Sequence, residues 1–235
     1  MAEKLIRKEI KHDKFVEDVN IAYGYLQKNR PVLFLAIAGV AALIAATWGV
    51  FAYREAQERK AQARLGEAIT ILGAPVSETP QGAGPVYRTE EEKTTKAQPI
   101  LEEVAKEYGG TDAADIAELF LARLAATRGD LETARPKLER FVREHGDHVL
   151  AGGAQLSLYE MDLASGRARD LITELERKLN DKSKILPNDA LLALLARAYQ
   201  AADDRVKARE AYQRLVNEYP DSPYAIDAQR ELQPV

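Results

Sequence analysis

Residues 189–220 read DALLALLARAYQAADDRVKAREAYQRLVNEYP. Two apolar stripes run through this stretch. Leu192, Leu195, Ala196 and Tyr199 recur at helical spacing on the first, and Ala208, Tyr212 and Leu215 on the second. Asp203-Asp204 lies between them, where short acidic side chains favour a turn. Pro220 closes the second stripe, because proline has no N–H with which to continue a helix. Small and large residues alternate where two antiparallel helices must touch. Ala196 and Ala208 suit a close crossing, and Tyr199 and Tyr212 fill the space beside it. Asn188 or Asp189 can cap a helix beginning at Ala190. The stretch reads as a helix pair.

The same frame recurs upstream. Asp115–Gly146 supplies Ala122, Ala125, Ala134, Leu138 and Phe141, and Val149–Asn180 supplies Leu156, Tyr159, Ala168, Ile172 and Leu175. Between the alanines of the second helices the steps are 34 residues, from Ala134 to Ala168, and 40, from Ala168 to Ala208. DKSKILP at 181–187 reads as an insertion that accounts for the longer step. A weaker copy puts Ala97, Leu101 and Val104 on a helix over Glu90–Tyr108, with Arg54–Leu72 as its partner. Ser222-Pro223 starts a short capping helix over Ala225–Leu232. Position by position the pattern resembles the tetratricopeptide repeat, with Leu192 where that family often has tryptophan. It departs from the family at Gly152, which takes that position in the middle repeat, and at Gly146 and Asn180, which replace the closing proline. The resemblance implies an all-α fold, an α-solenoid of about three to four helix pairs with atypical ends.

Ahead of the repeats, PVLFLAIAGVAALIAATWGVFAY spans Pro31–Tyr53 without a charge and is bracketed by Arg30 and Arg54. At about 1.5 Å per residue such a helix crosses the roughly 30 Å core of a bilayer. Trp48 and Tyr53 sit near one end, where amphipathic rings favour the headgroups. Thr47, the one clearly polar side chain, can bond to a carbonyl one turn earlier. The expected organisation is a tail over 1–30, a single transmembrane helix over 31–53, and a repeat domain over 54–235. Nothing breaks the helical pattern after Tyr53, so the membrane helix runs on to Leu72, with Leu65, Ala68, Ile69 and Leu72 as its buried stripe. The loop 73–89 is different. Pro75, Pro80, Pro85, Gly82 and Gly84 exclude helix there, leaving a functional loop or a flexible insertion.

Lys4, Arg7, Lys8, Lys11, Lys14, Lys28 and Arg30 precede the span, against Arg54, Arg59, Lys60 and Arg64 in the turns after it. That bias points the N-terminus into the cytoplasm, and in a bacterial cell the large C-terminal part then faces the periplasm or the cell exterior. In the tail, Leu5, Ile6, Ile10, Phe15, Val16 and Val19 recur at helical spacing, as a membrane-surface helix, a docking handle or a solvated segment. Ala38, Ala42 and Ala46 share one face of the span, and Ala41, Ala45 and Gly49 another, so a homo-oligomer is sterically open to it.

KEIKHDKFVED at 8–18, the single span and the repeats together resemble the inner-membrane ancillary subunits of the bacterial Sec translocon. That resemblance implies an anchored periplasmic adaptor whose partners are translocon subunits, chaperones or exported clients. YPDSPYAIDA at 219–228 also resembles repeats of envelope assembly factors and cell-division coordinators, which implies a structural scaffold instead.

No enzyme is expected. His145, Asp147 and His148 flank a turn and could hold a metal only loosely, with no fourth ligand at a sensible spacing. Ser157 and Ser165 lack a nucleophile-elbow context, and Gly82-Ala83-Gly84 lacks the Lys-Ser/Thr of a phosphate loop. No cofactor or metal is expected. With a net charge of −4 and mixed signs, the chain offers no general attraction to nucleic acid. Function is expected on the concave face. In the repeat frame Arg123, Ser157 and Arg197 share one inward position, and Glu160 and Gln200 follow three residues after the latter two. Such groups can hold a peptide's backbone or carboxylate, or pair with one another.

Overall fold

The structure is a computed structural model that describes residues 30–77, 86–182 and 184–233. The amphipathic tail expected over residues 1–30 lies outside them except for Arg30. The helices are α1 (Arg30–Gly73), α2 (Glu90–Glu107), α3 (Asp112–Thr127), α4 (Leu131–Glu144), α5 (Ala151–Ala164), α6 (Ala168–Leu179), α7 (Asn188–Ala201), α8 (Arg205–Glu218) and α9 (Ala225–Leu232). Among the described residues the only extended pairing is an isolated parallel bridge between Val76 and Tyr87. The architecture is all-α.

The chain divides into two units between Gln57 and Glu58. In the first, α1 is long and apolar enough to cross a membrane. Its large side chains are exposed: Trp48 by 75% and Phe51 by 68%. Apolar area costs roughly 25 cal/mol per Å² in water, and hydrocarbon removes that cost. The Thr47 hydroxyl donates to the Leu43 carbonyl at 2.8 Å, as the sequence suggests, so the polar group is satisfied within the helix.

In the second unit, Ala61, Leu65 and Ala68 of α1 pack on Ala97, Leu101 and Val104 of α2 and on Ala113 and Ala117 of α3. The stripe differs from expectation at one position: Ile69 is 41% exposed and Ala61 is buried instead. Steps of four and three from Ala61 reach Leu65, Ala68 and Leu72, which puts Ile69 about a quarter-turn off the face. Two polar contacts lock this pairing. Arg64 Nε donates to Glu103 at 3.0 Å. Glu58 accepts from the Asp112 and Ala113 N–H groups at 2.9 and 3.2 Å, beside the Thr111 cap, so the first turn of α3 is satisfied. Thr89 caps α2 by accepting from Glu92 N–H at 3.0 Å, and the Glu92 carboxylate reaches back to Arg88 N–H at 3.0 Å. The Pro/Gly loop is tied at its base, where Ser77 N–H donates to the Tyr87 carbonyl at 2.9 Å.

The later pairs stack through shared cores. Leu119, Ala122, Ala134, Leu138 and Phe141 of α3 and α4 meet Ala154, Leu158 and Met161 of α5. Tyr159, Leu171 and Leu175 meet Leu191, Leu195, Tyr199 and Ala208 from α7 and α8. Leu192, Ala196, Tyr212 and Leu215 are closed off by Ala228 of α9.

The register of the repeats is set by their turns. Gly129, Gly166 and Asp203 have φ of 82°, 74° and 62°. In each turn the next residue donates back across the helix end: Asp130 to Ala125, Arg167 to Asp162, and Asp204 to Tyr199, at 3.0, 2.9 and 2.9 Å. This is one Schellman closure repeated three times. The left-handed residues are 37 apart in both steps, the same separation that brings Glu160 to Arg197. The alanine steps of 34 and 40 therefore mislead by three residues in the middle repeat. The counterpart of Ala134 and Ala208 is Leu171, 2% exposed, and Ala168 is the first residue of its helix, as Leu131 and Arg205 are of theirs. Residues 181–187 do not lengthen the repeat, because α6 ends two residues early relative to its turn. Leu186 from this segment is buried against Tyr159, Leu171 and Leu191. The helix after it begins at Asn188, two residues before the expected start, although Asp189 Oδ1 does accept from Ala190 N–H at 2.9 Å.

Candidate functional site

The first helices of the pairs, α3, α5 and α7, carry the expected groove residues. Because every turn has the same closure, positions can be counted back from its left-handed residue. Arg123, Glu160 and Arg197 each lie six residues before it. The equivalent of the two arginines is thus Glu160 and not Ser157. The inward row alternates in sign, and that alternation has a direct result. Both Nη atoms of Arg197 bind both carboxylate oxygens of Glu160, the second contact at 2.7 Å, across two neighbouring repeats. The two side chains are 48% and 41% exposed, so the pair is bidentate but wet.

Gln200 follows one turn later and joins two further elements. Its Nε2 donates to Glu231 of α9 at 2.8 Å, and its Oε1 accepts from the Tyr212 hydroxyl at 2.9 Å. Burial raises the pKa of that hydroxyl; the Glu231 and Asp227 carboxylates push the same way, and Arg197 opposes them. The other two expected residues stand apart. The Ser157 hydroxyl donates to the Gly153 carbonyl of its own helix at 2.9 Å. Arg123 lies 6.0 Å from the Phe120 ring centroid, and among the described residues no carboxylate pairs with it.

Glu160 and Arg197 line a cavity of about 330 Å³ between α5, α7 and α9. Leu156, Ala193, Leu194 and Tyr224 form its apolar part, and Asp227 stands at its edge. A second cavity of about 540 Å³ adjoins it through Tyr212 and is lined by Gln200, Asp203, Arg205, Arg209 and Glu231. From the sequence alone Leu156 reads as a packing residue, Asp227 as part of the capping helix, and Tyr224 carries no assigned role. The signal that could have found them is the small-residue pair Ala225 and Ala228, both buried, which lets α9 pack on α8 as another first helix would.

The histidine turn is engaged in its own structure. His145 Nε2 lies 3.1 Å from Asp115, and His148 Nδ1 accepts from Leu150 N–H at 3.1 Å. Among the described residues no group of three or more metal-binding side chains forms.

The profile of a family described as a tetratricopeptide repeat-like domain matches residues 28–230. No curated protein and no solved structure matches the chain.

Proposed function

The chain belongs to the tetratricopeptide repeat-like domain family, and on that premise we propose that it is a membrane-anchored adaptor that links the Sec translocon to periplasmic chaperones or newly exported clients. The observation that carries the reading is the groove of about 330 Å³ on the first-helix face, with apolar walls and a charged pair that a polypeptide can engage. Repeat domains of this kind act by binding proteins, and the candidate residues Arg123, Glu160, Arg197 and Gln200 are binding groups, with Ser157 at the margin. Helix α1 anchors the chain in the inner membrane, and the excess of Lys and Arg before residue 31 supports a periplasmic location for the domain. A second copy can pack along the Ala38-Ala42-Ala46 face of the span.

The test is crosslinking in living cells, purification in mild detergent and identification of the crosslinked proteins by mass spectrometry. Translocon subunits together with periplasmic chaperones or exported clients are the expected result. Envelope-assembly or cell-division proteins without translocon would replace the adaptor by a scaffold, and exclusively cytoplasmic partners would reverse the orientation.

A further inference from the structure

The charges around the groove are unequal. Glu160 and Arg197 neutralise one another. Asp227 lines the groove, and Glu231 lies one turn further along the same helix at the adjoining cavity. Both side chains are exposed, and their partners within the chain are weak competitors. Asp227 holds Arg230 at 2.9 Å with both groups more than 70% exposed, where an ion pair contributes little. Glu231 accepts from the uncharged amide of Gln200. Arg205 and Arg209 line the second cavity beside the turn at Asp203, and neither is among the charges that act on the Tyr212 hydroxyl, which are Glu231, Asp227 and the already paired Arg197. The strip next to Tyr212 is therefore acidic, in keeping with the raised pKa of that hydroxyl. Beside the strip is the apolar part of the groove, whose volume of about 330 Å³ suits one or two side chains and not a folded element.

We propose that the groove takes an extended segment of a partner protein in which an aliphatic or aromatic side chain is flanked by lysine or arginine. The apolar side chain enters between Leu156, Leu194 and Tyr224, and the cation lies against Asp227 and Glu231. This rests on the reading of the groove as a polypeptide site and adds the chemistry of the segment.

The experiment uses the full chain in detergent and three fluorescein-labelled peptides with one central leucine, flanked by lysines, glutamines or glutamates. Fluorescence anisotropy is read at about 50 and about 300 mM salt. The lysine peptide binds at least about tenfold more tightly than the glutamine peptide at low salt, and the gap narrows at high salt as screening grows. The surface variant Asp227→Asn/Glu231→Gln removes that advantage and leaves the glutamine peptide unchanged. A glutamate peptide that binds as well as the lysine peptide, or a lysine advantage that survives the double variant, overturns the charge assignment while the groove stands. If none of the three binds, the groove reading falls with it.

Discussion

Arg197 and Glu160 occupy the same position in successive repeats, and they bind each other. A repeat that places equivalent residues side by side turns a change of sign between copies into a contact. The pair joins α5 to α7 on the groove side while both partners remain wet. Exposed pairs of this kind are worth about 0.2–1 kcal/mol. A double-mutant cycle with Glu160→Gln and Arg197→Gln is expected to give a coupling within that range from denaturant midpoints. A coupling of several kcal/mol would mean that the pair is a structural clamp and unavailable to a ligand.

The register set by the turns makes neighbouring residues of α6 unequal. Leu171→Ala removes a side chain that is 2% exposed and is expected to cost about 2–5 kcal/mol. Ile172 is only partly buried, and Ile172→Ala is expected to cost distinctly less. Chemical denaturation of the two variants ranks them, and the opposite order would restore the alanine-based register.

Asp203 is the one described non-glycine residue with positive φ, at a position where the other repeats use glycine. Left-handed backbone costs an L-residue roughly 1–2 kcal/mol, less for Asp. Asp203→Gly is therefore expected to stabilise by up to about 1 kcal/mol. Gly166→Ala, with open space around the added methyl group, is expected to destabilise by about 1 kcal/mol through backbone strain alone. Thermal melts of both variants check the pair of signs.

Three carboxylates have pKa values held below the usual range: Glu92 by the Arg88 N–H, Glu103 by the Arg64 guanidinium, and Asp130 by Thr133. A pKa lowered by folding gives stability that is present above the unfolded value and is lost as pH falls through the folded one. The domain is expected to hold constant stability from neutral pH to about pH 5 and to weaken progressively below about pH 4. Asp130→Ser keeps a capping oxygen but cannot ionise, so its denaturation midpoints should fall less steeply with acid than those of the parent chain. An equal slope in both would remove Asp130 from this account.

The sequence shows the helix pairs because alanines and large apolar residues at helical spacing have few other uses. Ala122, Ala134, Ala196 and Ala208 are all at or below 3% exposure. It shows the apolar span for a simpler reason, since length and lack of charge are local properties. The middle repeat misleads because Ala168 offers a small residue at a plausible place, whereas the turn geometry assigns that role to Leu171. Turn closure depends on which residue adopts positive φ, and Ser165-Gly166-Arg167 carries that information only if glycine is weighed above alanine. The groove is less legible. It needs Tyr224 and Asp227 beside Leu156, residues far apart in sequence, and the Glu160–Arg197 contact follows from a register three residues away from the apparent one.

Leu186 bears on how far these repeats are modules. In a regular array each copy meets its neighbours through the same interface, so a copy can be removed, duplicated or exchanged as a cassette. Here the connecting segment supplies a side chain that is buried against α5, α6 and α7 at once. The second and third copies share that leucine and cannot be separated without leaving a hole in one of them. Recombination that respects the chain's architecture would therefore cut before α5 or after α8, and the four helices between would travel as one heritable block.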